Sequence, residues 1–422
     1  MTVSEFIQFE PSDRPYAAKG VTYFDSNEDC LYYYNGTKWI LVGEKPLPPI
    51  ASFKYDSGTS SPAAVSGGPS APVVTPTHQG MKGCLLKDDG SVNYYLNPDD
   101  WSKKLDGSAS DLTGKDGNVM VEIPAFYYRF TQEGDIKTFE ISSEPTSGFD
   151  LHPAFIKDGI QVSHRYYGAY DACVKKSDNS FIGGLNLDDN TARVNTQTDK
   201  LASVSGQYPM VGLTRSQFRN LSFNTGNGFR QVDYDLVAAV QLLYVIEYQT
   251  LFSQEVLGDG NTNSSYNSSS SNQNDSPHTV AGAGNSIANG STDATSGKGV
   301  DAHPGTSFMK YRGIENFYGN AWNFADGINV NVNDAGTVYV TNDSQYFADG
   351  TSNGMTLVTS SLPTASGYIS KLQLVPPYFL SQSNSNGSST TYVTDQHYAT
   401  TSTNRVVRVG GSAGYGASAG AF

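Results

Sequence analysis

Only two stretches of this 422-residue chain carry the marks of a helix, and that scarcity constrains its fold more than any other feature. Thr214 to Asn224 opens on a capping-box pattern, Thr214 with Gln217 three positions later, and stops before Gly226. Asp233 to Gln249 places Leu236, Val237, Val240, Leu243, Tyr244 and Glu247 at helical spacing, which predicts an amphipathic helix laid on a sheet. Across the whole chain, 43 Gly, 27 Tyr and long runs of Ser, Asn and Thr favour loops and short strands. A β-rich or α+β protein is expected, long enough for two or three domains that each bury a core.

The formal net charge of −14 would repel a phosphate backbone, and no Lys/Arg cluster interrupts it, so no nucleic acid partner is expected. Met1 to Glu10 lacks a basic segment followed by an apolar one, so no secretory signal is expected. No apolar run reaches membrane-spanning length, so no membrane insertion is expected either. Synthesis in a cytoplasm is expected, with any surface location reached by assembly. Cys30, Cys84 and Cys173 are odd in number, far apart and without CxxC or Cys/His spacing, which predicts buried thiols rather than disulfides or zinc.

Residues 1–45 read as a small β-meander: Val21 to Phe24, Leu31 to Tyr34, an Asn35-Gly36 turn, then Trp39 to Val42. Such a meander has too little core to stand alone, which points to oligomerisation. Residues 46–77, rich in Pro, Gly, Ser and Ala, read as a linker. Residues 78–422 form the main domain, with Asp-Gly turns at Asp89, Asp106 and Asp116 between strand-like segments. Within it, 255–300 is dominated by Ser, Asn, Gly and Asp and is expected to be one long polar loop without core residues.

The most specific pattern is Asn316, Gly319, Asn320 and Trp322, followed downstream by Arg408, Gly410, Gly411 and Ser412. Gly319 permits a tight turn or close backbone approach, and Trp322 is expected to be a large core anchor that the Gly410-Gly411 segment passes. The pattern resembles the C-type-lectin-like fold shared by formylglycine-generating enzymes and the variable proteins of diversity-generating retroelements. The wider run through Met120 to Pro124, Gly148 to Phe155 and Asp233 to Gln249 is similar to phage structural proteins of that class, and the resemblance covers residues 78–422. The N-terminal segments Gly20 to Asp25 and Tyr33 to Trp39 are similar to short repeats in phage fibres and in surface proteins of gut bacteria. The enzymes of the class use a cysteine pair in the C-terminal part of the domain, whereas no cysteine follows Cys173 here, so no enzymatic activity is expected. Diversified relatives often add one more strand after Gly-Gly-Ser, and here that strand is expected to be absent or supplied differently.

In the diversified relatives the variable residues lie just before and within the terminal strand. Carried onto this chain by the Gly-Gly-Ser anchor, the resemblance implies a receptor-binding face of Asn384, Asn386, Tyr392, Asp395, Gln396, His397, Tyr398, Asn404 and Tyr415. Tyr, Asn and Ser make an adaptable paratope, although a solvated loop has the same composition.

Other chemistry finds less support. The six histidines show no HExxH or i, i+4 pairing, and His152 reads as a structural turn residue. Gly-x-Ser-x-Gly around Ser352, Ser412 and Ser418 opens no helix as a nucleophile elbow must. The carboxylate pairs Asp99-Asp100 and Asp188-Asp189 are neighbours in sequence rather than opposed across a substrate. No cofactor is expected. Calcium has one candidate string, Asp326, Asn329, Asn331, Asn333 and Asp334, without EF-hand spacing.

The resulting expectation is a bacteriophage virion fibre, on tail or head, exposed on the virion surface. Its N-terminus would join other virion proteins, it would assemble as a homotrimer, and its lectin-like domain would attach to a host-surface glycan or protein. The alternatives are a capsid or tail decoration without a receptor, and a polysaccharide depolymerase.

Overall fold

A computed structural model describes residues 22–25, 30–37, 39–41, 50–59, 72–184, 189–226, 228–262, 278–292, 307–331, 336–383, 387–391, 393–399 and 405–422. The chain divides into two units, Met1–Ile50 and Ala51–Phe422. In the first, the strands Thr22–Asp25, Cys30–Tyr34 and Trp39–Leu41 form an antiparallel meander. Its turn is made as the Asn-Gly pair predicts: Gly36 has φ 102°, and Asn35 Oδ1 accepts from Thr37 N at 2.9 Å. Tyr34 and Trp39 face each other across the hairpin with ring centroids 5.4 Å apart.

The second unit is mostly β-sheet around one central helix, Tyr234–Tyr248, which Asp233 caps by accepting from Leu236 N. Every residue from Tyr234 to Glu247 is buried, so the expected amphipathic surface helix is instead a core helix. Its polar positions have internal partners: Asp235 accepts from the Tyr378 hydroxyl at 2.6 Å, Gln241 donates to Ala421 O, and Glu247 accepts from Arg312 at 2.7 Å. These contacts allow the helix to be buried all round, although Gln241 Oε1 and the Tyr244 hydroxyl have no hydrogen-bond partner among the described residues.

Three four-stranded sheets build most of the remainder. One runs in the order Asp150–Leu151, Tyr127–Glu133, Ile136–Ser142, Ile50–Asp56; another runs His164–Gly168, Asn118–Pro124, Lys82–Leu86, Val92–Tyr95. The third runs Thr356–Thr359, Thr337–Val340, Asn323–Asn331, Arg405–Val409. The linker assigned to 46–77 is corrected at both ends. Ala51, Phe53 and Tyr55 alternate inward along Ile50–Asp56, and Thr75, Thr77 and His78 are buried around the short helix Pro76–Gln79. Phe53 stacks on Phe139 at 5.8 Å, and the surrounding Pro/Gly/Ser composition hides this period-two signal.

The helix Arg215–Thr225 has the predicted capping box at Thr214 and Gln217. It docks where the register between Asn323–Asn331 and Arg405–Val409 shifts at Ala325/Asn329. Arg215, fully buried, spends all five donors there: on Ala325 O, Ile328 O, Ala348 O, Asn329 Oδ1 and Asp349 Oδ1, all within 2.6–3.0 Å. His152 is the structural residue expected, its ring accepting from Ala154 N at 3.2 Å.

Candidate functional site

The segment that joins Ile314–Glu315 to Asn323–Asn331 holds Asn316, Gly319 and Asn320 at φ 57°, 76° and 53°. Glycine and asparagine are the residues that enter this left-handed region at low cost, so the pattern is the local cause of the bend. A Cβ on Gly319 would lie 3.0 Å from Thr262 Cγ2, and one on Gly410 would lie 3.0 Å from Phe317 O. The strand Arg405–Val409 therefore leads into a close pass, sealed by Gly319 N donating to Gly410 O at 2.8 Å. The expected close approach is present at Gly410, but against Phe317 to Gly319, while Gly411 passes Ala419.

Trp322 is not the core anchor the pattern predicts. It is half-buried, its ring edge-on to Tyr415 at 5.0 Å and 5.1 Å from the Arg408 guanidinium. The buried aromatics of this segment are Phe317 and Tyr318, and the Tyr318 hydroxyl donates to Gly258 O at 2.5 Å with Ser253 O 3.2 Å away.

The bend turns three amides, from Asn316, Asn320 and Asn323, onto the carboxylate of Asp171. Asn320 Nδ2 donates to it at 2.7 Å. Asn320 Oδ1 accepts from Asn261 Nδ2 at 2.9 Å and Thr279 N at 2.7 Å, and its carbonyl accepts from Ala413 N at 2.9 Å, with His278 Nδ1 2.8 Å away. Asn261, Thr262, His278 and Thr279 are buried, which corrects the expectation that 255–300 lacks core residues. Polar side chains enter this core because they satisfy one another.

Asp171 opens onto a cavity of about 200 Å³. Tyr167, Phe218, Phe229, Phe317, Trp322 and Phe324 give it aromatic walls, and Glu315, Asn316, Asn323, Arg230 and Gln231 add polar groups. Phe229, Trp322, Asn323 and Phe324 are only half buried. Protein surrounds the Asp171 carboxyl outside the cavity, and burial pushes its pKa up to about 7 against the opposing pull of the amides. Burial also raises Glu315 to about 7, although its oxygens accept from Gly282 N at 3.1 Å and Gly284 N at 2.9 Å. Two buried acceptors on the cavity wall, Asn316 Oδ1 and Gln231 Oε1, have no partner among the described residues. The chain matches no family model and no curated protein.

Amide donors hold the Asp171 carboxyl and backbone donors hold the Glu315 carboxyl. Cys84 and Cys173 are buried, and burial raises both thiols, Cys173 to about 12, so neither forms a ready thiolate.

The receptor-binding set divides. Gln396 and Tyr398 are exposed, and Tyr415, also exposed, packs on Trp322 beside the cavity. Asp395 is buried and accepts from Phe422 N at 2.7 Å, so its place on a binding face is corrected. His397 is half-buried, with Nε2 2.9 Å from Pro363 O. Asn384, Asn386, Tyr392 and Asn404 lie outside the described residues. Of the calcium string, Asn331 Oδ1 has no hydrogen-bond partner among the described residues. Asp326 accepts from Arg219 at 2.6 and 2.9 Å and Asn329 from Arg215, while Asn333 and Asp334 lie outside the described residues. Sequence reasoning missed Asp171 and Gln231, single polar residues with no periodicity to mark them.

Proposed function

We propose that this chain is a non-enzymatic bacteriophage fibre protein whose C-terminal unit has a C-type-lectin-like fold and recognises a saccharide on the host surface. The observation that carries this reading is the cavity beside Trp322, where aromatic walls meet two unpartnered amide oxygens. A sugar presents apolar C–H faces to aromatic rings and hydroxyl donors to such acceptors. At about 200 Å³ the cavity suits one sugar ring rather than a drug-sized ligand.

The N-terminal meander supports an attachment role, since three short strands need neighbours for stability. In this reading it joins other virion proteins on tail or head and the chain assembles as a homotrimer on the virion surface. No helix among the described residues is long and apolar enough to cross a membrane.

The test is binding of the full chain to a panel of bacterial cells and their extracted surface polysaccharides. Trp322→Ala and Gln231→Ala are expected to lower binding at least tenfold while the fold is kept. A folded chain that binds none of the panel favours a decoration role, and release of new reducing ends favours a depolymerase.

A further inference from the structure

A second cleft, of about 390 Å³, lies between the hairpin Tyr127–Glu133/Ile136–Ser142 and the hairpin Lys371–Val375/Tyr378–Ser383. Its walls include Ser57, Gln132, Ser361 and Gln373, with two ammonium groups, Lys137 and Lys371, and one carboxylate, Asp135. Two of the amides, Gln373 and Gln132, are already engaged. Gln373 Nε2 donates to Ser381 O at 2.7 Å and its Oε1 accepts from Thr359 Oγ1 at 2.8 Å, while Gln132 Nε2 donates to Gly134 O at 2.9 Å.

The lysines differ in lacking an anionic partner among the described residues, although Lys137 Nζ lies 6.0 Å from the centre of the Tyr55 ring. Lys137 is 5% exposed and donates to Leu372 O at 2.8 Å, but it forms no ion pair among the described residues. An ammonium has three N–H donors, and buried ones are normally paired with an anion. Burial and the neighbouring Lys371 both lower the pKa of Lys137, against a weaker opposing effect of Asp135. Lys371 is exposed, and it also faces the cleft.

We infer that this cleft binds a compact oxyanion, the carboxylate of an acidic sugar or a phosphate group, between Lys137 and Lys371. The buried lysine supplies a fixed donor, the exposed one closes over the anion, and Ser57 and Ser361 line the space around it. This site is separate from the Trp322 cavity and does not depend on the reading given to that cavity.

Calorimetric titration of the full chain with glucuronate, inorganic phosphate and glucose tests the inference. One equivalent of glucuronate, phosphate or both is expected to bind, weakening as salt is added, while glucose gives no response that Lys371→Gln alters. Binding of glucuronate alone identifies the acidic sugar as the source, and binding of phosphate alone identifies a phosphate group. Lys371→Gln, a surface change, is expected to weaken anion binding at least tenfold, and Trp322→Ala to leave it unchanged. Absence of binding by both anions, or undiminished binding by Lys371→Gln, overturns the site.

Discussion

Asn320 donates from Nδ2 to Asp171 Oδ2 at 2.7 Å while its own Oδ1 accepts from Asn261 and Thr279. One fully buried amide thus ties together the turn before the cavity, the carboxylate on the cavity wall and two parts of the polar stretch. Asn320→Ala removes the buried acceptor shared by Asn261 Nδ2 and Thr279 N, and removes an asparagine from φ 53°. A loss of about 3 kcal/mol or more is expected in urea unfolding, since each orphaned group costs about 1–3 kcal/mol. A loss under about 1 kcal/mol would show that the polar stretch is held in some other way.

The raised carboxyls give stability a definite pH dependence. Asp171 and Asp395 have folded pKa values of about 7 against an ordinary 3.8, chiefly through burial. Between those values the folded chain holds more protons than the unfolded one. Their contribution is therefore fully present below about pH 4 and is lost as pH rises toward about 7. Asp171→Asn and Asp395→Asn remove it, so the stability of the parent relative to each variant should fall across that window. The slope is at most about 1.4 kcal/mol per pH unit for each group. Unfolding midpoints at a series of pH values check this, and a difference that is flat or rises with pH contradicts it.

Arg215 and Arg219 serve the same carboxylates but differ in burial, at 1% and 20% side-chain exposure. Arg215→Met removes the side-chain donors to Ala325 O and Ile328 O and a charge facing Asp349, with an expected cost of about 3–5 kcal/mol. Arg219→Met leaves the carbonyl contacts of Arg215 in place and should cost less. Equal shifts in denaturation midpoint for the two would place the stabilisation in the ion pairs alone.

How much of this was legible in the sequence depended on whether a local rule governed the residues. The capping box at Thr214 and the Asn35-Gly36 turn follow from chemistry within a few positions, and each stands where it was expected. Asn316, Gly319 and Asn320 were marked by spacing, and positive φ explains why those residue types occur there. The strand Ile50–Asp56 was hidden by the Pro- and Ser-rich composition around it. Asn261, Thr262, His278 and Thr279 defeated a hydrophobicity criterion because they are buried through partners distant in sequence. Asp171 and Gln231 acquire their roles only when the fold brings them to the cavity.

The cavity itself can be interrogated through tryptophan, because the chain has only Trp39, Trp101 and Trp322. Trp39 lies in the N-terminal unit, Trp101 is fully buried, and Trp322 lines the cavity. The most direct measurement is a ¹⁹F NMR titration of the 5-fluorotryptophan-labelled chain with saccharide fragments released from bacterial surface polysaccharides. The account predicts a saturable shift of the Trp322 resonance alone, abolished by Gln231→Ala. Saturable saccharide binding that leaves the Trp322 resonance unmoved, or no binding by any fragment, would contradict it.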